Sequence, residues 1–374
     1  MAFGTAAALA VLSKFSSILF LGVAVLVSVV LWVAHGRPDR IRSRLRIVAE
    51  SACFAALIGS LIVWAGYRFS FAPVVDTHST HAPIDQLFGV RGWAHDLAYG
   101  LVELPVPAPE FFRGLRDLAD QTRQGYPAYL MGETFNHGHW SFFPIGVLVK
   151  TPIAFLLLSA FGLAVLGARC WRESRPASCV PVLGVAAIAA VVIPSTINIG
   201  MRHVLPIFPL LAIAVGAGIA FLWHRRRSAP TGMAVALILI SWLALSSVRA
   251  HPDYLAYFNE CCDRNPESWL VDSDLDWGQD LDRLASVLKA KRVEHVQLAY
   301  FGTADIARHG LPRTTVLRPD DRVHGWVAVS EFRFVMGEEP SRLPWHPPNT
   351  EYRWLEAYGP YERVGKSIRL YQVP

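Results

Sequence analysis

Six apolar runs, at 15–35, 47–67, 146–168, 178–198, 204–223 and 230–248, constrain this chain more than any other feature. Each has about 20 residues, enough for a helix to cross roughly 30 Å of hydrocarbon. Backbone inside lipid has no water to bond, so such runs must be helical. The stretch 1–13, MAFGTAAALAVLS, is apolar but too short to span, and Lys14 closes it. It lacks a basic start and a clear cleavage site, so it reads as part of a helix rather than a signal peptide. The tail 249–374 has ordinary soluble composition. The expected fold class is an α-helical polytopic membrane bundle, about six full spans plus a partial N-terminal helix, with a C-terminal extracytoplasmic α/β domain.

The net charge of +5 does not signal nucleic acid, because the arginines fall in short connecting loops. These are 35–46 (HGRPDRIRSRLR), 169–175 (RCWRESR) and 224–227 (HRRR). Short Lys- and Arg-rich loops stay cytoplasmic. Six alternating spans then put 68–141, the turn 199–203 and the tail outside. The five cysteines offer no disulfide framework: Cys53, Cys170 and Cys179 lie in or beside spans, and Cys261 and Cys262 are adjacent.

The organisation expected is membrane helices over 1–67, an aromatic-rich external loop over 68–141, membrane helices over 142–248 and the α/β domain over 249–374. Within the loop, 110–122 (EFFRGLRDLADQT) has helical spacing and reads as a short surface helix. In the tail, 268–272 and 294–301 read as buried strands joined by a helix over 279–290, one βαβ unit. Further strands are expected at 324–330 and 366–373, and a helix at 350–359, giving a mixed sheet.

Four cationic or titratable side chains fall at external helix mouths: Lys14, Lys150, Arg202 and His203. Lys150 is followed at once by Thr151 and Pro152, and Arg202 stands between Gly200 and Pro206. Snorkelling of single side chains to head groups is one reading. Several on one side favour a shared task, the holding of an anionic head group, most economically a phosphate. In NHGHW, His137 and His139 lack a third metal ligand in view, and with Glu133 they are candidates for binding sugar or acceptor. Asp272, Asp274 and Asp276 alternate in DSDLDWGQD, at the end of an expected strand and before a helix. They read either as a helix cap or as a ligand or cation site, with a divalent cation possible. Gly278 and Arg283 fall where an EF-hand would need other positions and residues, which excludes that loop.

The segments ALAVLSKFSS, YLMGETFNHGHWSFFPIGVLVKTPIAFLLL and NIGMRHVLPIFPLL resemble later membrane segments of bacterial polyprenyl-phosphate-dependent glycosyltransferases. These are the family 39 type of the GT-C superfamily, related to protein mannosyltransferases. HPDYLAYFNE, LVDSDLDWGQDL and AYFGTAD resemble the tail of a bacterial subgroup of membrane glycosyltransferases. The resemblance implies a multi-pass protein of the bacterial plasma membrane. It would move a sugar from a polyprenyl-phosphate donor to an acceptor outside, with Lys150 and Arg202 on the donor's phosphate. The family's essential acid lies in the first external loop, ahead of these segments, so the catalytic residue is expected upstream of this chain. Of Asp76, Asp85, Asp96 and Glu133, none matches its motif. The alternatives are a transporter or flippase of lipid-linked saccharide, and a non-catalytic membrane-anchored binding module.

The charge pattern generates a topology test. Reporter fusions after Arg42, Arg172 or Arg226 are expected to register cytoplasm, and a fusion after Pro374 the opposite side. A cytoplasmic C-terminus would reverse the sidedness of every candidate residue.

Overall fold

In so apolar a chain, helices start and stop where prolines and glycines interrupt the backbone ladder. A computed structural model describes residues 1–35, 38–74, 92, 104–173, 176–228, 230–337 and 352–374. It divides into two compact units, Met1–Gln124 and Gly125–Pro374.

The first unit holds helices α1 (Ala2–Ser13), α2 (Ser17–His35) and α3 (Pro38–Gly66). Small residues bring α1 and α3 into backbone contact: a Cβ on Gly4 would lie 2.4 Å from the Ala55 carbonyl oxygen. Strands β1 (Phe71–Pro73) and β2 (Pro105–Pro107) pair antiparallel and lead into α4 (Pro109–Gln124). Helix α4 is the surface helix expected over 110–122, begun by a proline that suits a first helical turn. Its Phe111 packs on Phe15 and Tyr67, at centroid distances of 5.7 and 6.3 Å.

The second unit begins with a hairpin of β3 (Ala128–Leu130) and β4 (Glu133–Phe135). Its two-residue turn places Met131 at φ 53° and Gly132 at φ 90°, the twist that suits a tight hairpin. Helices α5 (Phe142–Lys150), α6 (Ile153–Glu173), α7 (Pro176–Val192), α8 (Ile207–His224) and α9 (Pro230–Arg249) follow.

Among the described residues, four helices rather than six are long and apolar enough to cross a membrane: Leu45–Gly66, Ile153–Arg172, Ile207–His224 and Pro230–Arg249. The expected span 178–198 falls short because α7 stops at Val192, just before Ile193 and Pro194, and a residue preceding proline avoids helical geometry. The run 15–35 yields an apolar helical stretch of Ser17–Val30. The run 146–168 is broken in two, since Pro152 holds Thr151 extended (φ −106°, ψ 135°) and the spanning helix starts at Ile153. A second correction concerns the cysteines. Cys170 and Cys179 form a disulfide, because the end of α6 and the start of α7 face each other with Cα atoms 5.1 Å apart.

The tail is organised by a five-stranded sheet of β5 (His295–Ala299), β6 (Arg313–Val316), β7 (Gly325–Ser330), β8 (Glu362–Val364) and β9 (Ile368–Val373). Its order is β6-β5-β7-β9-β8, with β5 parallel to β6 and β7, and β9 antiparallel to β7 and β8. The sheet is mixed, as expected. Side chains alternate across it. Leu298, Ala328 and Ile368 pack under Leu284 and Leu288 of α10 (Leu281–Ala290) on one face. Val327, Val329 and Tyr371 pack with Phe334, Tyr352 and Leu355 on the other. The stretch 268–272 is not the strand expected of it. Pro266–Ser268 is a 3-10 turn, and Asp272–Leu275 is a single helical turn entered with Asp272 at φ 42°, which extended pairing does not allow. The helix expected at 350–359 is a 3-10 turn over Arg353–Tyr358, with 350 and 351 outside the described residues.

The seam between α6 and α8 depends on Gly162, where an added Cβ would lie 2.0 Å from the Ala214 carbonyl oxygen. Gly162→Ala is expected to destabilise the unit by about 1–3 kcal/mol through forced separation of the helices. A thermal melt in detergent would register a lowered Tm. An unchanged Tm would mean that the two backbones do not approach so closely.

Candidate functional site

The break at Thr151–Pro152 leaves the last carbonyls of α5 without helical partners. Asn259, fully buried, satisfies them: Nδ2 donates to the Leu148 carbonyl at 2.6 Å and the Thr151 carbonyl at 3.1 Å, and its backbone N–H to Val149 at 2.9 Å. The Lys150 ammonium points the same way. Nζ donates to the Leu255 carbonyl at 2.7 Å and to the Asp274 carbonyl, and lies 4.4 Å from the centroid of the Phe258 ring.

The turn before α8 joins this cluster from the other side. Asp274 is buried, and its Oδ1 accepts the Met201 N–H at 2.9 Å. Ser273 Oγ donates to the Ile199 carbonyl at 2.5 Å. Between them Gly200 sits at φ 131°, and a Cβ there would fall 2.1 Å from Ser273 Oγ. Only glycine allows the two turns to meet this closely. Three segments far apart in sequence thus converge: the end of α5, the turn 198–204 and the turn 272–278.

Arg202 projects from this junction, exposed, with its guanidinium carbon 5.5 Å from the centroid of Trp277. His203 is half-buried, its ring 6.4 Å from that of Phe143. Burial lowers Lys150 to a pKa of about 8, opposed by the charge of Asp274. The same burial raises Asp274, opposed by Lys150, the Met201 N–H and Arg202. Asp272 is pushed up to about 6, chiefly by burial, against a hydrogen bond from the Ser273 N–H and the charge of Arg202.

The three aspartates do not converge on one point. Asp274 faces Met201, whereas Asp276 turns to the sheet: Oδ2 accepts the Phe332 N–H at 2.9 Å and Oδ1 the Gly278 N–H at 3.2 Å. Among the described residues no group of three or more His, Cys, Asp or Glu is placed to hold a metal ion. The fourth aspartate of the motif, Asp280, was not singled out in the sequence. It is buried, and its Oδ2 accepts the N–H groups of Lys366 and Ser367 and the Ser367 hydroxyl, fixing the β8–β9 connection.

Of the remaining candidates, Glu133, His137 and His139 belong to the second unit and Lys14 to the first. Glu133 is exposed at the start of β4, paired in register with Leu130. His137 is exposed, and His139 bonds Ser141 Oγ through Nδ1 at 2.7 Å while its carbonyl accepts Asn198 Nδ2 at 2.8 Å. Lys14, exposed, follows α1 in the first unit. Asp76, Asp85 and Asp96 lie outside the described residues. Asn259, Phe258 and Trp277 were missed as single residues. Each lies in a segment that the family likeness had marked, but their roles depend on contacts more than 100 residues away for Asn259 and 75 for Trp277 with Arg202.

Comparison of the chain with family models, with curated proteins and with solved structures returns no match.

Buried Asp276 supplies a pH test. Burial raises its pKa from 3.8 to about 7, so the folded protein holds a proton there that the unfolded chain releases. Its contribution to stability is complete below 3.8 and is lost as pH rises through about 7. Asp276→Asn mimics the neutral acid. The Tm of the unmodified protein is expected to fall relative to that of the variant between pH 5 and pH 8. A Tm difference that stays constant over that interval would mean that the buried group is ionised throughout.

Proposed function

We propose that the chain is part of a membrane glycosyltransferase that takes its sugar from a polyprenyl-phosphate donor, with Arg202 as the principal contact to the donor's phosphate. The observation that supports this reading is the junction itself. KTP, RHVLPIFP and DSDLDWGQDL, the most specific pieces of the family likeness, meet there, since Lys150 bonds the Asp274 carbonyl and the exposed Arg202 lies over Trp277.

The arrangement suits that chemistry. In glycosyl transfer the bond between the sugar's anomeric carbon and the phosphate oxygen breaks, a bond to the acceptor oxygen forms, and the acceptor's proton leaves. The charge that develops on the departing polyprenyl phosphate needs a positioned donor. A guanidinium offers a planar fork that matches two phosphate oxygens. Lys150 holds the turn 272–278 in place through its bond to the Asp274 carbonyl. In this reading Glu133, His137 and His139 remain candidates for the sugar or acceptor.

The test is binding of a short-chain polyprenyl monophosphate to the detergent-solubilised chain, with the uncharged polyprenol as control. A charge-assisted bond contributes about 1.5–3 kcal/mol, so Arg202→Ala is expected to weaken phosphate-dependent binding by about 10- to 100-fold. Arg202→Lys is expected to restore only part, since a point charge lacks the fork. Equal affinity for the monophosphate and the polyprenol, or an Arg202→Ala variant that binds as before, would remove the reading.

A further inference from the structure

We infer that Trp277 and Phe301 form a stacking platform for the ring of a saccharide, at the carboxyl ends of the parallel strands β5 and β7. This deepens the glycosyl-transfer reading and rests on it for the saccharide's role, though the binding itself is measured separately.

The platform is placed by the sheet. β5 ends at Ala299, opposite Val329 of β7, so Tyr300–Phe301 and Glu331–Phe332 emerge side by side. Crevices beyond the carboxyl ends of parallel strands are where open α/β sheets hold ligands. Phe301 stacks on buried Phe332 at a centroid distance of 3.7 Å, and Trp277 meets Phe301 edge-on at 5.7 Å. An aromatic series thus runs from the core to the surface. It ends in Trp277, which is 47% exposed although it is the largest side chain of its turn.

The loop that carries the exposed indole is held in place. The Trp277 backbone N–H donates to Gln279 Oε1 at 2.8 Å, and Gln279 Nε2 donates to the Leu275 carbonyl at 2.8 Å. Tyr300 fits beneath the loop, its hydroxyl donating to the Gly278 carbonyl at 3.1 Å. A Cβ on Gly278 or Gly302 would lie 2.1 or 2.2 Å from that hydroxyl oxygen, and both glycines have positive φ (76° and 151°). Two glycines therefore let one tyrosine brace both platform loops. A surface aromatic fixed before binding loses little conformational freedom when a ligand stacks on it.

The surroundings select the ligand class. The Arg202 guanidinium lies over the indole, its carbon 5.5 Å from the ring centroid. A ligand with an apolar face and a rim of hydroxyls matches a flat aromatic bordered by such a donor, and a pyranose ring has that form.

The experiment uses the full chain in detergent and a panel of end-labelled gluco-, manno-, galacto- and N-acetylglucosamine oligosaccharides, read by fluorescence polarisation. At least one is expected to bind. Trp277→Ala is expected to weaken it at least tenfold, and Trp277→Phe less, because a smaller ring still stacks. Phe301→Ala, with an unchanged Tm, is expected to weaken it as well. Binding of no oligosaccharide, or equal binding by Trp277→Ala, would overturn the platform and leave Trp277 as an interfacial anchor. The two readings fail separately. A chain that binds the polyprenyl monophosphate but no saccharide loses only the platform. One that binds saccharide through Trp277 but shows no preference for the monophosphate over the polyprenol loses only the carrier reading.

Discussion

The second unit depends on how the end of α5 is satisfied. Pro152 ends that helix two residues after Lys150, and the carbonyls it strands lie close to apolar surroundings where unmet polar groups cost several kcal/mol. Asn259 answers three of them with one side-chain amide and one backbone N–H. Because Asn259 follows α9, this cap brings the start of the tail onto the end of α5. Leu255 and Phe258 come with it and form the seat of Lys150. The position of the turn 272–278, and with it Asp274 and Trp277, follows from that seat.

The electrostatics of the junction divide the work between its two cations. Lys150 has two of its three protons committed to carbonyls and an aspartate close by, so its charge is largely balanced within the protein. Removing the ammonium would leave the Leu255 and Asp274 carbonyls without these donors, which is destabilising. Lys150 is therefore primarily a tie between helix and tail. Arg202 is exposed and backed by an aromatic face, which supports a cation without consuming its donors. On the proposed reading, anion recognition at this junction falls to the arginine for that reason, and the two residues are not interchangeable.

What the sequence revealed follows from how local each feature is. Apolar length marked the spanning helices, and alternation marked β7 and β9, because both depend on neighbouring residues. The overestimate of spans came from prolines within apolar runs: Pro152 and Pro194 scarcely alter hydropathy but stop the helix. The Cys170–Cys179 pair was hidden because it requires α6 and α7 to turn back on each other. The segments of the junction were marked, but as two separate sites. Nothing local tells Lys150 that its partner is the backbone of a residue 124 positions later. The strand expected at 268–272 failed for the opposite reason, since a buried apolar stretch looks the same whether it pairs in a sheet or packs as a turn.

The same junction bears on whether the tail is a module merely displayed by the membrane helices. A displayed domain would meet its anchor through a linker, with its own polar groups satisfied internally. Here Asp274 is buried against the Met201 N–H, Ser273 bonds Ile199, and Gly200 has no room for a side chain because Ser273 occupies it. The turn 272–278 therefore completes the turn 198–204, and each supplies groups that the other would leave unpaired. At its other end the same loop bonds the sheet, through Asp276 to Phe332 and Asp280 to Ser367. A loop fixed at both ends makes the sheet and the helix mouth parts of one unit, which is how Gly125–Pro374 divides from the rest of the chain. Such a construction suits a site assembled from both parts better than it suits a tethered binding domain.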